Sequence, residues 1–178
     1  MISDFFLAII LALIQGLTEF LPVSSSAHLL FPSLLFGAKD FGIVFDISVH
    51  AGTLAAVIYY FKKEILGLLH AWMPWSHNRS KENFSLGLHL IVATLPIVLV
   101  GLLASDLSES RSANINSIAW VNLMFAALLF AAYKFSSQSR SLAELTLFAA
   151  LIIGCFQAFA VFPGASRSGM AITGALII

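Results

Sequence analysis

Cysteine, charge and charge imbalance are what this sequence has little of. Cys155 is the single cysteine in 178 residues, so neither an intramolecular disulfide nor a thiolate zinc cluster can form. Charged residues make up 10% of the chain, against roughly 25% in a soluble domain. Nine Lys plus Arg balance nine Asp plus Glu. There is no basic surplus to recruit nucleic acid and no acidic tail. No G-x-x-x-x-G-K-[ST], H-E-x-x-H or dinucleotide fingerprint occurs. The apolar run 5–14 follows Asp4 without a preceding Lys or Arg, and no A-x-A-like cleavage site comes after it. The N-terminus is therefore expected to belong to the mature protein rather than to a signal peptide.

What is present is apolar. Hydrophobic residues make up 60% of the chain, and the mean hydropathy is +0.96. A disordered chain is excluded. The fold class expected is an all-α integral membrane protein, and the length suits one domain, 1–178.

Three stretches read as full spans: 41–61, 86–104 and 118–135. Each approaches the roughly 20 apolar residues that a bilayer core requires. Asp46 and His50 in the first span, and His89 in the second, are expected to be structural. Residues 62–85 carry charges of both signs, a Met73-Pro74-Trp75 turn and tryptophans suited to a membrane interface. Residues 105–117 and 136–141 read as short Ser-rich connections.

Two further apolar regions are broken. Residues 5–21 run into Leu21-Pro22-Val23-Ser24-Ser25-Ser26-Ala27-His28 and resume at 29–36. Residues 142–162 run into Pro163-Gly164-Ala165-Ser166-Arg167-Ser168-Gly169 and resume at 170–178. Irregular backbone cannot face lipid and persists only inside protein or along a wet cavity. Both regions therefore read as re-entrant helical hairpins. A shift of 142 positions pairs Gln15 with Gln157, Phe20 with Phe162, Ser24 with Ser166 and Ser26 with Ser168. The chain thus divides into a first repeat, 1–141, and the start of a second, 142–178.

Three spans between the hairpins make the second one enter from the opposite face. That is an inverted-repeat helical bundle with its site where the hairpin tips meet. Lys62, Lys63, Arg79, Lys81, Lys134 and Arg140 fall on one side, and Lys39 and Arg111 on the other. The richer side, with residues 62–85, is expected to be cytoplasmic.

The breaks carry the chemistry. Gln15 and Glu19 share a helix face at i, i+4. Ser24, Ser25, Ser26 and His28 follow, with His28 three residues from Ser25. A carboxylate, hydroxyls and an imidazole so close suit a nucleophile with its base or proton donor. The bland alternative puts Glu19 at the interface and leaves the serines as helix caps. In the second break, Gly164 and Gly169 flank Ser166-Arg167-Ser168. Backbone N–H groups at a helix start, with an arginine fork, suit a phosphate. The bland alternative is an arginine reaching out to lipid headgroups.

The segment Gln15-Gly16-Leu17-Thr18-Glu19-Phe20-Leu21-Pro22-Val23-Ser24-Ser25-Ser26-Ala27-His28-Leu29 resembles the first signature of the undecaprenyl-diphosphate phosphatase, or bacitracin-resistance, family. Pro163-Gly164-Ala165-Ser166-Arg167-Ser168-Gly169 resembles its second, and Phe45-Asp46-Ile47-Ser48-Val49-His50-Ala51-Gly52-Thr53 looks like its intervening helix. The resemblance implies a multi-pass hydrolase of the bacterial inner membrane. It would remove the terminal phosphate of undecaprenyl diphosphate, giving the carrier lipid for cell-wall synthesis. Glu19, Ser25, His28 and Arg167 would be catalytic. Ser166 would share the active site, and Ser26 would supply a hydroxyl beside the nucleophile candidate. From the reading of the breaks, Gln15, Gly164 and Ser168 are expected to bind substrate with them. A divalent cation, Mg²⁺ or Ca²⁺, is implied as cofactor, with Glu19 as its ligand.

Two positions depart from the family: Gln15 stands where Glu is frequent, and Ala171 where Thr is frequent. The family is longer by about three spans after the second hairpin, so the chain is expected to be a fragment or a short relative. The partners expected are a polyprenyl diphosphate, membrane lipids and a second copy in a homodimer, with no nucleic acid. The attacking group is left open among Ser25, His28 and water. The rival functions are a non-enzymatic polyprenyl-phosphate carrier and an inactive truncated relative. The Glu19, Ser25 and His28 cluster separates them, because a carrier needs an anion cradle but no nucleophile and base.

Overall fold

The computed structural model describes residues 4–73, 80–104, 114–137 and 141–178. Every regular element among them is helical. The three long apolar helices are α3 (Ile43–Tyr60), α5 (Lys81–Leu103) and α6 (Ile115–Phe135), each long and apolar enough to cross a membrane. They fall on the three expected spans. The start of α5 lies five residues before the expected 86, because Ser80 caps it by accepting from the Asn83 N–H at 3.2 Å. A polar first turn is invisible to a search for apolar runs.

Shorter helices flank them: α1 (Asp4–Thr18), α2 (Ser25–Phe36), α4 (Lys62–Trp72), α7 (Leu147–Ala158) and α8 (Arg167–Ile177). At 1.5 Å per residue, the 15 residues of α1 reach only about 22 Å, short of a ~30 Å hydrocarbon core. Helix α2 ends at Gly37 in the left-handed region, φ 62°. The α4 helix lies in a stretch that reads as a polar connection. Its three leading charges mask an apolar face behind them, and that face packs on α5. Trp72 stacks on Phe84, with ring centroids 4.7 Å apart. Pro74, Trp75, Arg79, Arg111 and Arg140, which enter the turn and charge readings, lie outside the described residues.

Small residues set the tightest contacts. On α7, a Cβ added to Gly154 would come within 2.5 Å of the Ala93 carbonyl oxygen on α5. Only glycine lets these backbones approach so closely. Helix α8 packs on both α7 and α6. Among the described residues, fully buried apolar side chains are few, Ile118 and Met170 being the largest. Many large apolar side chains are exposed, including Phe36, Leu103 and Phe135. Such a surface suits lipid as its solvent.

The ends of the first broken region are tied together. Asp4, which starts α1, pairs with Lys39, just beyond α2. The α1 and α2 helices also pack on each other. The chain therefore goes out and returns, leaving its break at the far tip. The second broken region is built alike. After α7, a short 3₁₀ turn (Phe159–Val161) leads into the break, and α8 packs back on α7.

Candidate active site

The two breaks start their outgoing helices in the same way. Ser24 caps α2 by accepting from the Ala27 N–H at 3.4 Å. Ser166 caps α8 by accepting from the Gly169 N–H at 3.2 Å. Ser24 and Ser166 are the serines that the 142-residue shift pairs. Gly164, at φ 98°, turns the second break, and a Cβ there would sit 2.7 Å from the Ile118 carbonyl oxygen. Only glycine tolerates both that backbone and that contact.

The breaks also touch. The Ser168 hydroxyl donates to the Leu21 carbonyl at 2.6 Å. A Cβ built on Gly169 would lie 3.5 Å from Pro22 Cβ. Residues some 147 apart in sequence are thereby joined tip to tip.

Glu19 is the hub of the first break. Its Oε2 accepts from Gln15 Nε2 at 2.7 Å and from Ser25 Oγ at 2.8 Å. His50 Nε2, from the middle of α3, lies 3.4 Å from the same oxygen. The other ring nitrogen of His50 faces the Asp46 carbonyl at 2.7 Å. A carbonyl only accepts, so Nδ1 must carry hydrogen and Nε2 is the atom turned to the carboxylate. Gln15 is wholly buried, and its Oε1 has no hydrogen-bond partner among the described residues.

A cavity opens beside this hub. A small polar chamber of about 60 Å³ is lined by Glu19, Ser25, Ser26, His50, Ser166 and Arg167, among others. It adjoins a cleft of about 670 Å³ that shares Glu19, Ser26, His50 and Arg167. The cleft adds apolar walls, including Leu30, Ile47, Leu54 and Val57. Arg167 faces the cavity with no hydrogen bond or ion pair to any described residue. A charged polar end joined to an apolar groove suits an amphiphile with an anionic head.

Not every expected site residue reaches this cavity. Glu19, Ser25, Ser26, Ser166 and Arg167 line it. Gln15, His28, Gly164 and Ser168 do not. Gln15 acts behind Glu19 instead. His28 Nδ1 donates to the Ser24 carbonyl at 2.7 Å, and its ring leans on Phe31. The three-residue spacing puts His28 and Ser25 on one side of α2, but the Ser25 hydroxyl is turned to Glu19 at 2.8 Å, and no hydrogen bond joins the two among the described residues. His50, which the sequence marks as structural, holds the imidazole position beside Glu19. Its legible signals are an unexplained polar residue inside an apolar span and its place in the stretch that resembles the family's intervening helix.

For a metal, no group of three His, Cys, Asp or Glu occurs among the described residues. A pre-built cage is therefore not what these residues offer. Mg²⁺, however, commonly takes one or two carboxylates plus substrate phosphates, and Glu19 could supply such a carboxylate.

Residues 8–178 match the family model described as bacitracin resistance protein BacA. The chain is 48% identical to an undecaprenyl-diphosphatase of Saccharophagus degradans over 175 residues, covering 98% of this chain and 66% of that protein. It is 44% identical to an undecaprenyl-diphosphatase of Alcanivorax borkumensis, covering 98% and 66%. It is 43% identical to that of Teredinibacter turnerae, covering 98% and 67%. The chain thus spans about two thirds of the length of these curated relatives.

Proposed function

The chain belongs to the bacitracin resistance protein BacA family, and from that premise we propose that it serves as an undecaprenyl-diphosphate phosphatase. The product would be the monophosphate carrier lipid used in cell-wall synthesis. One observation carries the reading. The Ser25 hydroxyl donates to the Glu19 carboxylate at 2.8 Å, in a chamber that also holds Arg167, which has no partner among the described residues.

In this reading the diphosphate occupies the polar chamber and the polyprenyl chain lies in the apolar cleft. Ser25 Oγ attacks the terminal phosphorus while its proton passes to Glu19 Oε2. The bond from that phosphorus to the bridging oxygen breaks, and the lipid monophosphate leaves. Water then attacks the phosphoserine and releases inorganic phosphate. Arg167 faces the charge that spreads over the transferred phosphoryl oxygens. His28 takes no step, because its Nδ1 is spent on Ser24 and its ring lies against Phe31. A divalent cation arriving with the substrate would be held by Glu19 and would neutralise phosphate charge.

The same reading includes the topology. The Asp4–Lys39 pair and the matched Ser24 and Ser166 caps favour two re-entrant hairpins in an inverted repeat. Lys62, Lys63 and Lys81 favour a cytoplasmic 62–85 segment in the bacterial inner membrane. The decisive assay is phosphate release from a purified polyprenyl diphosphate by this chain in lipid nanodiscs. Release by the wild type and none by Ser25→Ala is expected. Binding of the lipid without release would favour the carrier instead.

A further inference from the structure

The sequence marks Ser166 and Ser168, on either side of Arg167, as substrate contacts. Their hydrogen bonds point elsewhere. The Gly169 N–H donates to Ser166 Oγ at 3.2 Å. Ser166 Oγ and Ser168 Oγ are 3.0 Å apart. Ser168 Oγ donates to the Leu21 carbonyl at 2.6 Å. A hydroxyl has one proton. Ser166 Oγ also lies 3.5 Å from the Leu21 carbonyl oxygen, but Ser168 Oγ is much nearer to it, so the Ser168 proton goes to Leu21 and that of Ser166 to the nearer Ser168. The result is a one-way chain from the α8 N-terminus into the first break. Leu21 O also accepts from the Val23 N–H at 2.7 Å, so both of its lone pairs are used. Ser168 itself lines neither the chamber nor the cleft.

We propose that Ser168 is a positioning residue: its hydroxyl latches the second break onto the Leu21 carbonyl and so sets Arg167 across the chamber from Glu19 and Ser25. It gives no atom to the substrate. A backbone carbonyl freed by a helix break inside a membrane has little water to turn to. The latch satisfies that carbonyl and fixes the spacing of the two half-sites in one contact. Leu21 lies two residues from Glu19, and Ser168 adjoins Arg167, so slack at the latch passes directly to both.

The structural part of this proposal stands alone, and its kinetic part rests on the phosphatase reading. The test uses Cys155→Ser protein carrying Pro22→Cys and Gly169→Cys. The 3.5 Å spacing of those Cβ positions lies within the about 3.5–4.5 Å found in disulfides. Gly169→Cys also crowds Ser166, at 3.2 Å, so every comparison shares this cysteine pair. Cross-linking in membranes should be equally fast with Ser168 and with Ser168→Thr, which keeps the donor. With Ser168→Ala it should slow by about fivefold or more, the scale of one lost hydrogen bond. In protein without the engineered cysteines, Ser168→Ala should lower kcat roughly tenfold with little change in KM, as a misplaced catalytic group does. Ser168→Thr should restore it. No cross-link in any variant, equal rates in the Ser and Ala forms, or a raised KM at unchanged kcat overturns the latch. If the wild type releases no phosphate, the phosphatase reading fails while the cross-linking rates still decide the latch.

Discussion

Ser25 Oγ and Glu19 Oε2 are 2.8 Å apart, although one opens α2 and the other lies just past α1. The turn between them brings hydroxyl and carboxylate face to face, and the carboxylate is also steadied by Gln15. In the proposed reaction nucleophile and base form one unit, so their losses should not add. Ser25→Ala and Glu19→Ala should each lower kcat by at least ~10³-fold. The double mutant should be scarcely worse than the poorer single. Turnover numbers in nanodiscs, at matched insertion, measure this. A double mutant whose loss is the product of the singles would mean that the two residues act independently.

His50 is expected to matter to the same unit. Its Nε2 is turned to Glu19 Oε2 at 3.4 Å, and the Asp46 carbonyl fixes the ring by holding Nδ1. Replacing it with leucine keeps an apolar helix surface but removes the polar neighbour of the carboxylate. His50→Leu should cost roughly tenfold to a hundredfold in kcat, whereas His28→Leu should cost much less. Equal losses at both positions would return His28 to the reaction.

That contrast shows what the sequence reveals and what it hides. The long spans are legible because apolar runs of span length have few other uses. The breaks are legible because Pro, Gly and Ser clusters interrupt such runs. Glu19, Ser25 and Arg167 are all legible from the breaks, and the family signatures add only the roles expected of them. The pairing of His50 with Glu19 is not, because it depends on how α3 packs against α1, a contact between distant parts of the chain. That the Ser24 carbonyl holds His28 Nδ1 is also hidden, because spacing along a helix does not say which way a ring leans. Helix α4 is hidden because Lys62, Lys63 and Glu64 precede its apolar face.

Topology can be checked without activity. The α4 helix has 11 residues, about 16 Å at 1.5 Å each, too short to cross. With α3 as the one crossing between them, Lys39 and Ser80 are expected on opposite faces. In Cys155→Ser protein, single cysteines at these two positions should react with an impermeant maleimide from opposite faces of the membrane. The Ser80 position should react from the cytoplasmic side. Reaction from one shared face would rule out the single crossing.

Gly164 should be irreplaceable for structural reasons. Its φ of 98° is costly for any residue with a Cβ, and the Ile118 carbonyl oxygen stands 2.7 Å from where that atom would go. Backbone strain of this kind costs about 1–3 kcal/mol, and the clash adds to it. Gly164→Ala should lower the melting temperature of the detergent-solubilised protein. Gly52→Ala is the control, because beyond its chain neighbours and its own helix backbone no atom of the described residues lies within 4 Å of its added Cβ. Equal melting temperatures for the two variants would contradict the turn.

Arg167→Lys should be nearly as damaging as Arg167→Ala. Arg167 faces the chamber without a partner among the described residues, so its fork of donors is available to a phosphoryl group. Lysine keeps the charge but concentrates it at a compact, strongly hydrated point. It cannot make two parallel hydrogen bonds to one phosphoryl group. Losing a donor aimed at the transition state costs on the order of 10²–10³ in rate. An arginine that merely reaches to headgroups could be replaced by lysine almost freely. The measurement is the turnover number of both variants at saturating lipid. A lysine variant within about threefold of the wild type, far above the ~10²-fold loss expected, would remove Arg167 from the reaction.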